Sequence, residues 1–153
     1  MAEIWSIPTW LFLHTMAEKI NEDFLVRHKV QVVQIVKLIC GNLPCPYCRE
    51  HATKYCRSLK PENIRKKQDL IDYLFVFHNS VNARLRKPIF RKSQLEKYKR
   101  GRIDVIWTRF YYGFMKKYSR TLYAGSLSQD GERRKTGRFI HSWVKQNWKS
   151  LQG

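Results

Sequence analysis

Pro44-Cys45-Pro46-Tyr47-Cys48 decides how the rest of this chain is read, because a C-x-x-C pair takes its meaning from the elements beside it. A strand before the pair and strand–helix alternation after it would indicate a thioredoxin-like fold. Here the preceding segment, from about Asp23 to Cys40, is rich in Val and Ile but carries Gln31, Gln34 and Lys37 at intervals. It is also too long for a strand, and Gly41 is a fitting helix stop. No strand–helix alternation follows. The pair therefore opens a helix, with Pro44 suited to its first turn and both thiols inside that turn.

Working outward, the pattern stays helical. A first helix is expected from about Pro8 to Asn21, with Trp10, Leu13, Ala17 and Ile20 on one face and His14 beside them. A fourth runs from about Gln68 to Arg86 and is closed by Pro88, with Leu70, Leu74, Phe77, Val81 and Leu85 as its buried stripe. His78 and Asn82 form an adjacent polar pair one turn apart. These elements fit an all-α four-helix bundle, an architecture that places cofactors between facing helices. Ser93 to about Tyr123 also reads as helical. Ala124–Gly137, with three glycines and two serines, reads as a loop, and a last amphipathic stretch carries Phe139, Ile140, Trp143, Val144 and Trp148.

Length and composition bound the possibilities. The chain has 153 residues, enough for one domain with a real core, and 43% hydrophobic content excludes wholesale disorder. Its apolar runs are too short to span a bilayer, and the N-terminus lacks the basic-then-apolar plan of a secretory signal, so a soluble cytoplasmic protein is expected. Of the net charge of +18, residues 91–153 hold +12, from 16 Lys/Arg against 4 Asp/Glu. That asymmetry suits a solvated surface, a nucleic acid or another anionic surface. The four cysteines, Cys40, Cys45, Cys48 and Cys56, all fall within seventeen residues, which points to redox chemistry or metal.

Two thiols in the first turn of a helix face orphan N–H groups and the positive end of the helix dipole, which favour thiolate; Arg49 and Lys54 add positive charge. Three chemistries use such a pair. A glutaredoxin has Pro-Tyr between its cysteines but needs the strand context absent here. A zinc module could draw on all four cysteines and His51, yet structural zinc sites come as two close pairs separated by a longer loop. A flavin-linked dithiol needs an aromatic slot, hydrogen bonds to the ring and a cation for phosphate. Trp10, His14, His78, Asn82 and Lys87 are the right types for that slot.

Three ordered blocks carry a resemblance. They are Thr9-Trp10-x-x-Leu13-His14-Thr15-Met16-Ala17, then Pro44-Cys45-x-x-Cys48, then His78-Asn79-x-Val81-Asn82-x-x-Leu85-x-Lys87-Pro88-x-Phe90. Together they resemble the Erv/ALR family of FAD-linked sulfhydryl oxidases, most closely the compact versions encoded by large cytoplasmic DNA viruses. The resemblance implies a four-helix bundle with an additional short helix and FAD as cofactor. It implies Cys45 as the outward interchange thiol and Cys48 as the thiol against the flavin. Thr9, Trp10, His14, His78, Asn79, Val81, Asn82, Leu85 and Lys87 would line the cofactor site, and electrons from protein dithiols would pass to molecular oxygen, giving hydrogen peroxide. If the chain is viral, the host cytoplasm or the virion is its expected place.

The chain departs from the family in places. No cysteine precedes Cys40 or follows Cys56, so substrates reach Cys45 directly or through a separate relay protein. The structural disulfide that many members start after the Lys-Pro-x-Phe element is missing, and Tyr98 and Lys97 are the replacements expected at the adenine end. Cys40 reads as a small buried hydrophobe. Cys56 is about 12 Å along a straight helix from Cys48, too far for a disulfide; pairing with Cys40 would need two helices to meet there. The oxidase domain is expected over residues 1–101. Residues 102–153 are read as a basic, aromatic helical extension packed on the core or at the interface of a homodimer.

Overall fold

The computed structural model describes residues 2–118 and 127–153, and its described residues are helical with no strand. The elements are α1 (Ala2–Lys19), α2 (Glu22–Arg27), α3 (Lys29–Cys40), α4 (Pro46–Tyr55), α5 (Lys67–Arg84), α6 (Glu96–Lys99), α7 (Ile103–Met115) and α8 (Leu127–Gln146). Short 3-10 turns follow α4 and α8 and precede α6. The all-α class expected from the sequence is what forms.

Helix α1 is longer than its sequence pattern suggested, and Pro8 lies inside it rather than at its start. Proline removes the N–H that would bond the Ile4 carbonyl. The defect is absorbed by packing: Gly113 of α7 backs directly onto that carbonyl, with no room for a side chain between them. Beyond this crossing, Phe12 stacks on Phe110 at 4.7 Å and meets Trp107 at 5.2 Å. Phe12, Phe110 and Phe114 are fully buried, each contributing about 1.5–3 kcal/mol. The same helix packs its other side on α5.

The single second helix expected over Asp23–Cys40 is broken. His28 leaves helical geometry (φ −119°, ψ 24°), closing α2 and starting α3. Asn21 caps α2 by accepting the Phe24 N–H at 2.9 Å. The break lets Phe24 turn toward Trp143 of α8, while Gln31 in α3 accepts the Trp143 indole N–H at 3.1 Å. Tertiary contacts from the far end of the chain thus override a continuous helical pattern.

Helix α5 ends two residues before the expected Arg86. Arg86 adopts φ 55°, and the chain closes with Lys87 N–H on the Asn82 carbonyl (2.8 Å) and Arg86 N–H on the Ala83 carbonyl (3.1 Å). This is the left-handed helix stop usually built with glycine, and it turns Lys87 back along the helix it follows. Leu85, expected in the buried stripe, is 47% exposed because it falls in that turn.

The C-terminal region differs most from its sequence reading. Ser93–Tyr123 is divided at Gly101 and Arg102 into α6 and α7, and residues 119–123 lie outside the described residues. Of the loop expected at Ala124–Gly137, residues 127–137 are helical within α8, and 124–126 lie outside the described residues. The reason is a buried ion pair. Asp130 and Arg133 bridge within α8; Asp130 accepts the Tyr118 N–H (3.0 Å), and Arg133 donates to the Phe114 (2.8 Å) and Lys116 (2.7 Å) carbonyls. Arg134 donates to the Met115 carbonyl at 2.8 Å. The open carbonyls at the end of α7 are met by guanidinium groups of α8, which holds the glycine-containing segment in a helix.

Candidate active site

Cys45 stands at the mouth of α4 with extended backbone (φ −81°, ψ 121°), and its sulfur accepts the Cys48 N–H at 3.3 Å. A thiol takes the capping role usually given to Ser or Asp. Pro46, rather than Pro44, occupies the first helical position, where a missing N–H costs nothing. Arg49 holds the approach by donating to the Leu43 carbonyl at 2.9 Å. The two sulfurs are 2.7 Å apart, each a free thiol.

Their environments differ from the expectation of an outward Cys45. Cys45 is 8% exposed because its sulfur folds down onto the helix terminus, while Tyr47 between the cysteines is 79% exposed. Cys48 is half-buried and opens into a cavity. Burial pushes the Cys48 thiol up to about 12, the Cys45 sulfur adds to this, and the Arg84 guanidinium opposes it. At Cys48, burial outweighs the Arg84 charge.

That cavity is walled by Thr9, Trp10 and Leu13 of α1, Phe77, Val81 and Arg84 of α5, and Cys48 and His51 of α4. A second, more open space adjoins it, walled by His78, Val81, Asn82, Lys87, Lys97 and Tyr98. Trp10, Val81 and Leu85 line both. Trp10 lies flat on His78 (4.0 Å, 5° between planes), so an aromatic wall runs from one space to the next.

Behind this wall, His14 and His78 share a hydrogen bond (Nε2 to Nδ1, 2.9 Å), so one ring donates and the other accepts. Burial brings His14 down to about 3 and His78 to about 4; Lys97 adds to both shifts, joined by His78 for His14 and by Lys87 for His78. Tyr98, buried, stacks on His14 at 4.6 Å. His14 therefore orients His78 and does not line either space. Asn79 also faces away: it accepts the Phe90 N–H (3.1 Å) and donates to the Phe90 carbonyl (3.0 Å), tying the segment after α5 back onto the helix.

The structure thus gathers Thr9, Trp10, Cys48, His78, Val81, Asn82, Leu85, Lys87 and Tyr98 around two adjoining spaces, and leaves His14 and Asn79 behind them. Arg84 was missed by the sequence reading, which offered His51 only as a zinc ligand and not as part of this wall. Arg84 follows Phe77 and Val81 by seven and three residues, and His51 follows Cys48 by three, so helical spacing alone could have found both. His51 Nδ1 is buried with no partner on the cavity wall. Among the described residues no three His, Cys, Asp or Glu side chains converge on a possible metal, which leaves the zinc alternative without support.

These features fit FAD: an apolar and aromatic slot against a redox thiol, an unpartnered imidazole nitrogen in its wall, and two lysines in the adjoining space. A model of the Erv1/Alr family matches residues 7–100. Over 90 residues, 59% of this chain and 75% of that protein, the sequence is 31% identical to the FAD-linked sulfhydryl oxidase of African swine fever virus (isolate Pig/Kenya/KEN-50/1950). It is 29% identical over 99 residues, 63% of the chain and 67% of that protein, to a putative FAD-linked sulfhydryl oxidase of Invertebrate iridescent virus 3. The Arabidopsis thaliana FAD-linked sulfhydryl oxidase is 30% identical over 82 residues, 54% of the chain and 42% of that protein. No solved structure matches the chain significantly. With the three sequence blocks, the paired cysteines and the aromatic slot on adjacent helices, and a family match over most of the chain, this protein belongs to the Erv1/Alr family.

Proposed function

We propose that the chain is an FAD-dependent thiol oxidase that makes disulfides in protein substrates through Cys45 and Cys48. The observation that carries this is the cavity shared by Cys48 and Trp10, continuous along Val81 and Leu85 with a space flanked by Lys87 and Lys97. The flavin ring would lie against Trp10 and Cys48, the phosphates near Lys87 and Lys97, and the adenine end near Tyr98. When bound, FAD supplies a two-electron acceptor that hands electrons on to molecular oxygen as hydrogen peroxide.

The chain's own residues do the thiol chemistry. A substrate thiolate attacks Cys45 Sγ of the Cys45–Cys48 disulfide, forming a mixed disulfide and releasing Cys48 as thiolate. A second substrate thiolate then attacks its partner's sulfur, and Cys45 leaves. The Cys48 N–H, already bonded to Cys45 Sγ, stabilises that leaving thiolate. Arg84 stabilises the Cys48 thiolate on the cavity side. Residues 1–101 form the oxidase domain, with 102–153 as the extension that packs α7 on α1 and offers a surface to a second copy. Protein dithiols or a relay protein are the partners. No helix among the described residues is long and apolar enough to cross a membrane.

The test is a visible spectrum of the purified protein before and after anaerobic dithiothreitol, alongside Cys45→Ser. Wild type should show flavin bands that bleach with thiol and return in air, with peroxide released. Cys45→Ser should keep the flavin and lose turnover. A preparation that cannot be loaded with FAD would refute the proposal.

A further inference from the structure

Cys40 and Cys56 take no part in the chemistry above, yet the fold brings them together. Cys40 is the last residue of α3 and Cys56 the residue that closes α4; they are 2% and 3% exposed. Each thiol shifts the ionisation of the other, so the two side chains are neighbours. The helix ends are also close by an independent measure: a Cβ placed on Gly41 would sit 3.9 Å from Thr53 Oγ1, near the end of α4. Cys40 lines the cavity into which Cys48 opens.

We propose that Cys40 and Cys56 form a second disulfide, closed by the protein's own Cys45–Cys48 pair, that ties the end of α3 to the end of α4. The self-oxidation rests on the oxidase reading above. Cys40 and Cys56 each lose one proton and one electron as their S–S bond forms. The Cys45–Cys48 bond breaks and its sulfurs take up both protons and both electrons, so no other reactant is needed. Cys40 attacks Cys48 Sγ across the shared cavity and displaces Cys45. Cys56 then attacks Cys40 Sγ and displaces Cys48. Cys56 suits the second role, since the neighbouring Cys40 thiol, the charge of Lys37 and the Tyr73 hydroxyl together favour its thiolate against the effect of burial.

The closed loop, residues 40–56, contains the whole redox motif. Tying its ends fixes α4 at both termini, and removes from the cavity wall a thiol that would compete for Cys48. A disulfide is unusual in a reducing compartment, but this chain carries its own oxidant.

The full-length protein with FAD is reduced anaerobically, desalted, exposed to air, acid-quenched and alkylated with N-ethylmaleimide. Peptide mapping follows, with fragmentation to locate each link. The expected wild-type product is lighter by four hydrogens than the reduced chain, with Cys56 joined to Cys40 and Cys45 joined to Cys48. In Cys45→Ser, Cys40 and Cys56 should both be alkylated over the same interval. The proposal is overturned if both are alkylated in wild type while Cys45–Cys48 is linked, or if Cys56 joins Cys48. Closure of Cys40–Cys56 at the wild-type rate in Cys45→Ser would overturn the self-oxidation. Failure of Cys45–Cys48 to close would count against the oxidase reading, a separate result. Oxidised wild type should melt about 6–12 °C above Cys40→Ser and Cys56→Ser; equal melting temperatures would overturn the staple.

Discussion

Gly113→Ala tests whether the extension positions the cofactor site. The change adds one methyl in the middle of α7, and by helix propensity alone it should stabilise by about 1 kcal/mol. The added Cβ would instead be driven into the Ile4 carbonyl oxygen and fall 3.1 Å from its carbon and 3.3 Å from Trp5 Cα. All three are backbone atoms, with no rotamer to turn aside, so α1 and α7 must part by on the order of 1 Å. Overpacking of this kind costs about 1–3 kcal/mol, with rigid partners at the upper end. The net loss is about 1–2 kcal/mol, or a fall of about 2–8 °C in melting temperature. Because α1 also carries Thr9 and Trp10, FAD affinity should weaken by about tenfold, equivalent to about 1.4 kcal/mol. Thermal melts by circular dichroism and titration of the apoprotein with FAD read both effects. Gly131→Ala is the matched control: nothing lies within 4 Å of an added Cβ there, so the melting temperature should rise by about 2–4 °C. Equal gains in both variants would refute the close approach and with it the coupling of α7 to the site.

Three further outcomes follow from the geometry. Arg84→Gln removes the charge that opposes burial of the Cys48 thiol, so flavin reduction by dithiothreitol at pH 7.5 should slow by about tenfold and recover at higher pH; an unchanged stopped-flow pH profile would remove Arg84 from the mechanism. His14 and His78 hold fewer protons folded than unfolded between about pH 4 and 6.5, so apoprotein stability should fall as pH drops through that window. The slope should approach about 1.4 kcal/mol per pH unit for each ring that stays neutral, read by urea unfolding, and should flatten in His78→Asn. Asp130→Ala leaves Arg133 buried without its carboxylate and should cost about 3–5 kcal/mol by the same urea assay; a loss under 1 kcal/mol would show that the pair does not hold α8 to α7.

The helical class, the dithiol at a helix mouth and most of the side chains that line the two adjoining spaces were legible because each depends on local pattern. Trp10, His78, Val81 and Asn82 sit at helical spacings that put them on inward faces whatever the bundle's details. The misreadings share another cause. Residues 127–137 looked like a loop by glycine and serine content, yet Arg133 and Arg134 find the open carbonyls of α7, and that gain exceeds the helix cost of Gly131 and Gly137. His28 breaks a pattern that reads as continuous, because Phe24 and Gln31 both answer to Trp143, more than a hundred residues away. Pro8 looked like a start signal, since nothing local shows that Gly113 will cover the carbonyl it leaves bare.

The sequence by itself determined that this is an all-helical chain with a dithiol at a helix mouth and an aromatic, basic-flanked slot to face it, since periodicity and residue type act within a few residues of chain. Only the tertiary structure decided that Cys45 turns inward to cap its own helix, that Arg84 and His51 stand at the Cys48 cavity, that His14 and Asn79 support the wall from behind, and that Cys40 meets Cys56. Each depends on which helix ends come within a few ångströms of each other. That is set by packing between segments far apart in the chain, where local propensity carries no information.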